Sequence, residues 1–353
     1  MQDLRPQPGI LSDDRTVIDT LVVIPFHNRA DLALQSLRKL LEGGFPLQQI
    51  LVIDNGSIQK ETEELANEFP DLEIKRQENL GFGAAANHGI RRAIERGYDF
   101  TFVLNSDAIV TTEIVQGLVD YLCREENARV AACAPVTVSR GTVDFAGGLI
   151  DRRNWSALHV DNPDEVSMRL GEPGLEFYLT GCALMCRNSA VQEAGMFDES
   201  FFMYWEDCDL CLRLAAAGWK LVVLPELAVE HLVGGSSDDD ADGFRIYYYT
   251  RNRFLMWWRH GGGLSTLKRI VTELLPILTA PSPRLTSFRQ LTLGQAVFHG
   301  LLKIGGKRQL LDASKPHPIG SYTLWLMCTF ATAFQGAISH LKFRFGLTRS
   351  GSR

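Results

Sequence analysis

No stretch of this chain reads as a secretory leader, a disulfide scaffold, an internal repeat or a series of membrane spans. Its seven cysteines are an odd number scattered through 353 residues. That excludes a stapled extracellular framework and points to a reducing compartment. The opening MQDLRPQPGILSDDR is polar and lacks the apolar core of a leader. Neither glycine (31) nor proline (14) is enriched enough for a collagen or a low-complexity chain. Acid is nearly missing from one end. Residues 260–353 carry only Glu273 and Asp312 against 12 Lys and Arg, whereas residues 1–259 carry 40 acids against 24 Lys and Arg. An acidic body with a basic tail is expected to meet two kinds of partner. For the tail the expectation is an anionic membrane surface, with no nucleic-acid partner.

What is present is ordinary globular material: 45% apolar and 22% charged residues, long enough for a sizeable core. Short apolar runs alternate with helical periods. TLVVIP (20–25), QILVID (49–54), LEIKR (72–76) and FTFVLN (100–105) read as strands, and 30–42, 59–69, 83–97 and 112–123 as helices. That pattern means βαβ units and a mostly parallel, Rossmann-like α/β sheet flanked by helices. From about 130 the alternation gives way to shorter strands and loops. A helix follows over 206–217, then a strand in WKLVVLP, a polar loop over 234–243 and an aromatic-rich helix over 244–260. Residues 321–341 lack Asp, Glu, Lys and Arg, and their apolar residues fall on one helical stripe. The stripe fits a helix lying in a membrane interface, or one packed on the protein's own core.

Polar residues stand at three of the strand ends: His27-Asn28, Asp54-Asn55-Gly56-Ser57 and Asn105-Ser106-Asp107. Open parallel sheets bind ligands beyond the C-terminal ends of their strands, so the three together read as a ligand rim. Asp107 can hold a hard divalent cation against a diphosphate, or simply cap the next helix. A second cluster, Trp205-Glu206-Asp207-Cys208-Asp209, follows an aromatic run. Its acids suit a helix N-terminus, and the aromatic wall also suits a carboxylate tuned for base chemistry. Asp209 and Arg213 have the spacing of a helical ion pair. Gly81-Phe82-Gly83-Ala84-Ala85-Ala86 follows a strand and opens a helix, which is the dinucleotide pattern, so an NAD-dependent oxidoreductase competes. Against it, the motif sits on the third strand–helix turn and leaves Asp54 and the 205–209 acids unused. Cys182/Cys186 lie in a strand-like run and Cys208/Cys211 inside a helix, a poor setting for structural zinc.

In chain order, VVIPFHNR (22–29), VIDNGS (52–57), NLGFGAAANHG (79–89), LNSDA (104–108), TGCALMCR (180–187), FFMYWEDCDLCLR (201–213) and LAVEHLVGGSS (227–237) resemble family 2 glycosyltransferases of the GT-A fold. The nearest subgroup is the rhamnosyltransferase-like enzymes of bacterial polysaccharide assembly. The resemblance covers about residues 20–260. It implies inverting transfer of a sugar, L-rhamnose from a dTDP donor or a UDP-linked sugar, to a saccharide or polyprenyl-diphosphate-linked acceptor. It implies that Pro25, His27, Asn28, Asp54, Asn55, Ser57, Asn79, Gly81, Gly83, Asn87, Asn105, Ser106 and Asp107 face the donor. Asp107 and His231 would hold Mg²⁺ or Mn²⁺, and Asp207 would be the general base. Thr180, Gly181, Trp205, Glu206 and Arg251 would border the acceptor, Arg251 on a phosphate. Tyr249, Arg251 and Asn252 match a run of this subgroup.

The domain expectation has four parts. They are a polar segment over 1–19, a nucleotide-binding half over 20–129, an acceptor half over 130–260 and a basic helical extension over 261–353. The extension is expected to serve lipid contact or oligomerisation, on a cytoplasmic protein peripheral to the inner face of the membrane. Asn105 stands where the family carries a first acid, which keeps open a catalytically silent nucleotide- or glycan-binding scaffold.

Overall fold

The computed structural model describes residues 19–232, 241–261, 263–279 and 285–308. The amphipathic stripe over 321–341, the polar segment over 1–18 and most of the loop expected at 234–243 lie outside the described residues.

The chain opens with β1 (Thr20–Phe26), α1 (Ala30–Glu42), β2 (Ile50–Asn55), α2 (Gln59–Glu68), β3 (Glu73–Gln77), α3 (Phe82–Glu95) and β4 (Phe100–Leu104). Next come β5 (Ala108–Ile109), α4 (Thr112–Cys123), β6 (Val130–Ser139), β7 (Thr142–Phe145), β8 (Gly148–Asp151) and β9 (Ser156–His159). Then follow α5 (Pro163–Arg169), β10 (Leu175–Tyr178), β11 (Ala183–Arg187), α6 (Asn188–Glu193), α7 (Glu206–Ala216) and β12 (Lys220–His231). Helices α8 (Ala241–His260), α9 (Leu264–Thr279) and α10 (Leu285–Leu301) complete the described chain.

One nine-stranded sheet runs β3-β2-β1-β4-β11-β6-β12-β5, with β7 added to β6. Strands β3, β2, β1 and β4 are parallel, as the alternation predicts. Strand β11 then runs antiparallel between β4 and β6, and β12 returns parallel to β6. The change of pattern near residue 130 is therefore not a break in the sheet. The later strands lose the helix-by-helix rhythm because β11 enters from the far side of an inserted three-stranded sheet, β10-β8-β9. That insertion carries α5, which the sequence pattern did not reveal.

Each element follows from local chemistry. β1 is apolar and almost wholly buried, and its Pro25 falls beyond the ladder to β4, which ends at Val23. Pro25 still pairs with Ile53 on the β2 side. α1 buries Ala30, Ala33, Leu37 and Leu40, one face of a 3.6-residue period. α3 buries Ala84, Ala85, Ala86 and Gly89. A Cβ on Gly89 would stand 2.1 Å from Val23 Cγ1, so this helix lies closer to the sheet than a larger residue permits. One hydrophobic core packs α1 and α4 against the sheet, and a second packs α6, α7 and α8 on the other face. Every C-terminal end of the parallel strands opens on the same edge.

Candidate functional site

The first two strand ends form a single hydrogen-bonded rim. Asn28 and Arg29 both have φ 59°, a left-handed step that turns the chain off β1. The Asn28 amide N–H donates to Ser57 Oγ at 2.9 Å, and Asn28 Oδ1 accepts from Ile58 N–H at 2.9 Å. His27 Nδ1 lies 3.1 Å from the Asn55 carbonyl. Asn55 in turn donates to Asn79 Oδ1 and the Gly81 carbonyl, and accepts from Gln77 and Leu80 N–H. Asp54 is fully buried. Its oxygens accept from Ser57 N–H at 2.8 Å and Thr62 Oγ1 at 2.7 Å. Asp54 and Asn55 thus shape the rim from beneath, while His27, Asn28 and Asn79 form its solvent side.

At the third strand end, Asp107 precedes β5. The two-residue ladder of β5 with β12 sets His231 opposite Ala108. Asp107 Oδ1 and His231 Nε2 stand 3.4 Å apart, both partly open to solvent. The Asp107 carboxylate and the Cys182 thiol beside it hold the protonated imidazole, pushing its pKa up to about 11. Backbone bonds tie the same corner: Leu232 N–H to the Asp107 carbonyl, and Asn105 N–H to the Cys182 carbonyl. One carboxylate and one imidazole on an open rim fit a hard divalent cation whose other sites are filled by phosphate or water.

The third component is Asp207, in the first turn of α7. Gly181 N–H donates to its Oδ2 at 3.2 Å and Cys208 N–H to its Oδ1 at 2.7 Å. Burial nonetheless raises its pKa. Gly181 holds Asp207, and the next residue, Cys182, touches His231, so one turn joins the acid to the Asp107–His231 pair. Glu206 beside it is 5% exposed, and its Oε2 has no hydrogen-bond partner. Burial, reinforced by Asp207, pushes its carboxyl up to about 8.

The approach to α7 is strained. Phe202, Tyr204 and Trp205 all have positive φ, at 66°, 66° and 76°, in a region that bulky residues avoid. The cause is on α8. Asn252 donates its side-chain amide to the carbonyls of Phe201, Met203 and Tyr204 at 3.0, 2.8 and 2.7 Å. Arg251 donates to Ser200, Phe201 and Gly306 carbonyls and to Asn252 Oδ1. Trp205 is buried and donates its indole N–H to the Tyr249 carbonyl at 3.1 Å.

Several expected roles are corrected by these contacts. Arg251 is fully buried and spent on backbone carbonyls, so it meets no phosphate or acceptor. Asn87 is buried and pairs reciprocally with Phe197, its Oδ1 accepting and its amide donating, so it does not face a donor. The close approach that Gly81 permits is to the protein itself: its Cβ would lie 2.2 Å from the Phe202 carbonyl, and Phe82 N–H donates to that carbonyl at 2.9 Å. Gly83 likewise makes room for Phe197. The glycine cradle is thus filled by chain, which removes the dinucleotide reading. Glu206 and Trp205 lie under the site rather than along it. Asp209 pairs with Arg213 as expected, and also with Arg259 and His260.

Two residues of this cleft escaped the sequence reading. His159 packs edge-on against Phe145 at 5.2 Å and feels the charges of Asp207 and Asp144. Asp144 lies 3.9 Å from His231 Nδ1. Neither stands in a motif, and only the β6–β7 hairpin and the inserted sheet bring them to the cleft.

The profile of glycosyl transferase family 2 matches residues 21–194. An N-acetylglucosaminyl-diphospho-decaprenol L-rhamnosyltransferase of Mycobacterium tuberculosis is 28% identical over 241 residues, 60% of this chain and 76% of the relative. The dTDP-rhamnosyl transferase RfbF of Shigella flexneri is 24% identical over 208 residues, 56% of this chain and 67% of the relative. Among solved structures, GalNAc-T7 with UDP, GalNAc and Mn²⁺ aligns at TM-score 0.51 and 17% identity, over 74% of this chain and 55% of that one. The α/β fold is of the GT-A kind.

Glu206 gives this site a stability signature. A carboxyl whose folded pKa is raised binds its proton in the native state after the unfolded chain has lost it, so stability falls as pH rises from the unfolded value toward about 8. Asp207, raised in the same direction, adds to the fall. Glu206→Gln is expected to flatten the loss between pH 5 and pH 8 in urea unfolding. A slope equal to wild type would mean that Glu206 is ionised in the native state.

Proposed function

We propose a specific reaction for a chain that belongs, through residues 21–194, to glycosyl transferase family 2: single-displacement transfer of a sugar from a nucleoside diphosphate to an acceptor hydroxyl, with inversion. The observation that supports it is the Gly181–Cys182 turn: Gly181 N–H donates to Asp207, and Cys182 touches the ring of His231, which pairs with Asp107. His27, Asn28, Ser57 and Asn79 would receive the nucleoside at the rim of β1 and β2, and Asn105 and Ser106 would lead it toward Asp107. Asp107 and His231 would hold Mg²⁺ or Mn²⁺. A cation held there would supply positive charge against the diphosphate leaving group.

Asp207 removes the proton of the acceptor hydroxyl as its oxygen bonds to the anomeric carbon. The bond from that carbon to the diphosphate breaks with its electron pair going to the nucleoside diphosphate. Backbone N–H groups from Gly181 and Cys208 fix both oxygens of the base, and Thr180 borders the acceptor beside it. Because its pKa is raised, the base stays proton-bound to a higher pH than an exposed aspartate. Transfer should therefore fall off on the acid side above the ordinary range of about 3.9.

The relatives' names support a dTDP-L-rhamnose donor and a polyprenyl-diphosphate saccharide acceptor. A UDP-sugar is the second candidate donor. A lipid-linked acceptor places the work at a membrane face. Among the described residues no helix is long and apolar enough to cross a membrane. The contact proposed is peripheral, through the basic residues beyond 260. The same extension is where an oligomer contact would form.

Three experiments follow. Asp207→Asn should keep nucleotide binding and lower transfer by about 10²–10⁴-fold, the usual contribution of a general base; undiminished transfer removes Asp207 from that role. Asp107→Ala should weaken nucleoside diphosphate binding in Mn²⁺ and leave metal-free binding unchanged; equal loss in both conditions counts against the metal assignment. Flotation with vesicles of anionic lipid at low salt should carry the full-length chain upward and release it at high salt. A chain that stays at the bottom at low salt contradicts the membrane contact.

A further inference from the structure

The His231 imidazole has a carboxylate on each side. Asp107 Oδ1 stands 3.4 Å from Nε2, and Asp144 Oδ2 stands 3.9 Å from Nδ1. The two acids arrive from different elements. Asp107 is set by the pairing of β5 with β12. Asp144 lies on β7, which pairs with β6, the parallel neighbour of β12. Thr137 of β6 donates its hydroxyl to Asp144 Oδ1, so that oxygen is anchored and the other is left for the ring. The side chains of Asp107, His231 and Asp144 are 27%, 24% and 36% exposed, open enough for a cation and its water to reach.

Among the described residues no three His, Cys, Asp or Glu side chains converge as a metal cluster. Asp144 is therefore not a third ligand in this arrangement; it faces the other ring nitrogen. A metal-bound imidazole keeps one proton, on the nitrogen away from the metal, and an outer carboxylate that accepts from that N–H fixes ring and tautomer. Asp144 stands on that side of the ring, at a 3.9 Å ion-pair distance that must close by about 1 Å for its oxygen to accept from Nδ1–H. The Cys182 thiol also touches the ring, but a thiol is a weak hydrogen-bonding group and cannot match a carboxylate there.

We infer that Asp144 is a positioning residue: it holds His231 Nδ1–H, leaving Nε2 to join Asp107 as the protein's ligands to a divalent cation. The inference rests on the metal role proposed for Asp107 and His231. It adds that the β6–β7 hairpin, outside every motif of the family resemblance, sets the strength of the metal site.

The test is calorimetric titration of Mn²⁺ into the full-length protein saturated with UDP or dTDP. Metal-free nucleotide binding and thermal unfolding are measured alongside. Asp144→Ala should weaken Mn²⁺ binding by about 10–100-fold, with metal-free nucleotide affinity and unfolding temperature held. Asp144→Asn should fall between, because its amide oxygen still accepts from Nδ1–H. Cys182→Ala should change Mn²⁺ binding less than Asp144→Asn. In the diamagnetic Mg²⁺ complex, ¹⁵N spectra of labelled histidine should show His231 with Nδ1 protonated in wild type. Unchanged Mn²⁺ affinity in Asp144→Ala, with wild type still binding the metal through Asp107, overturns this inference alone. A wild-type protein that binds no Mn²⁺ with either nucleotide overturns it together with the metal reading.

Discussion

The site depends on a segment held where it would not rest by itself. Phe202, Tyr204 and Trp205 adopt left-handed backbone just before α7, each at a cost of order 1–3 kcal/mol. Asn252 and Arg251 offset that cost by satisfying the carbonyls that the turn exposes. A buried carbonyl left without a donor costs about 1–3 kcal/mol, so the turn and its clamp stand together. What the turn achieves is direction. It presents the first residues of α7 toward the Thr180–Cys182 turn, where the Gly181 amide meets Asp207. The Phe202 carbonyl, turned outward by the same step, receives Phe82 N–H and fills the space above Gly81.

A clamp works only if its own helix is fixed. α8 is anchored at its far end by Asp209, which is fully buried and meets Arg213, Arg259 and His260. Arg253 reaches the Trp155 carbonyl of the inserted sheet and pairs with Glu273 of α9 at 2.8 Å. α10 packs on α8, where Gly300 comes close against Phe254 and the Arg251 carbonyl. The described helices after residue 240 are thus part of the support for the turn before α7. The parallel strands supply a rim, as such sheets do, and the helices behind it decide where the acid points.

Much of this was legible from residue order. The parallel half showed itself because its strands are short apolar runs and its helices keep a 3.6-residue stripe. The rim showed itself because His27-Asn28, Asp54–Ser57 and Asn105–Asp107 each end a strand. The pairing of Asp107 with His231 followed from the family resemblance, and the β5–β12 ladder brings the two together. The rest was hidden for a physical reason. Asn252 and Arg251 act on carbonyls about fifty residues earlier, and backbone carbonyls leave no mark in a sequence. Gly81 was misread because glycine reports only that something comes close. A phosphate and the Phe202 carbonyl ask for the same missing Cβ. Asn87 was misread because a polar residue beside a motif looks like a ligand until its partner, Phe197, is seen.

The central claim is that this cleft receives a nucleoside diphosphate together with a divalent cation. Thermal unfolding of the full-length protein in UDP, dTDP, GDP and NAD, each with and without Mn²⁺, tests it most directly. A ligand at about 100 times its Kd adds roughly 2.7 kcal/mol to the native state, well within reach of the measurement. Stabilisation by a nucleoside diphosphate only when Mn²⁺ is present is the predicted result, and the preferred base narrows the donor to one nucleotide class. Stabilisation by NAD alone, or by no nucleotide under either condition, contradicts the account.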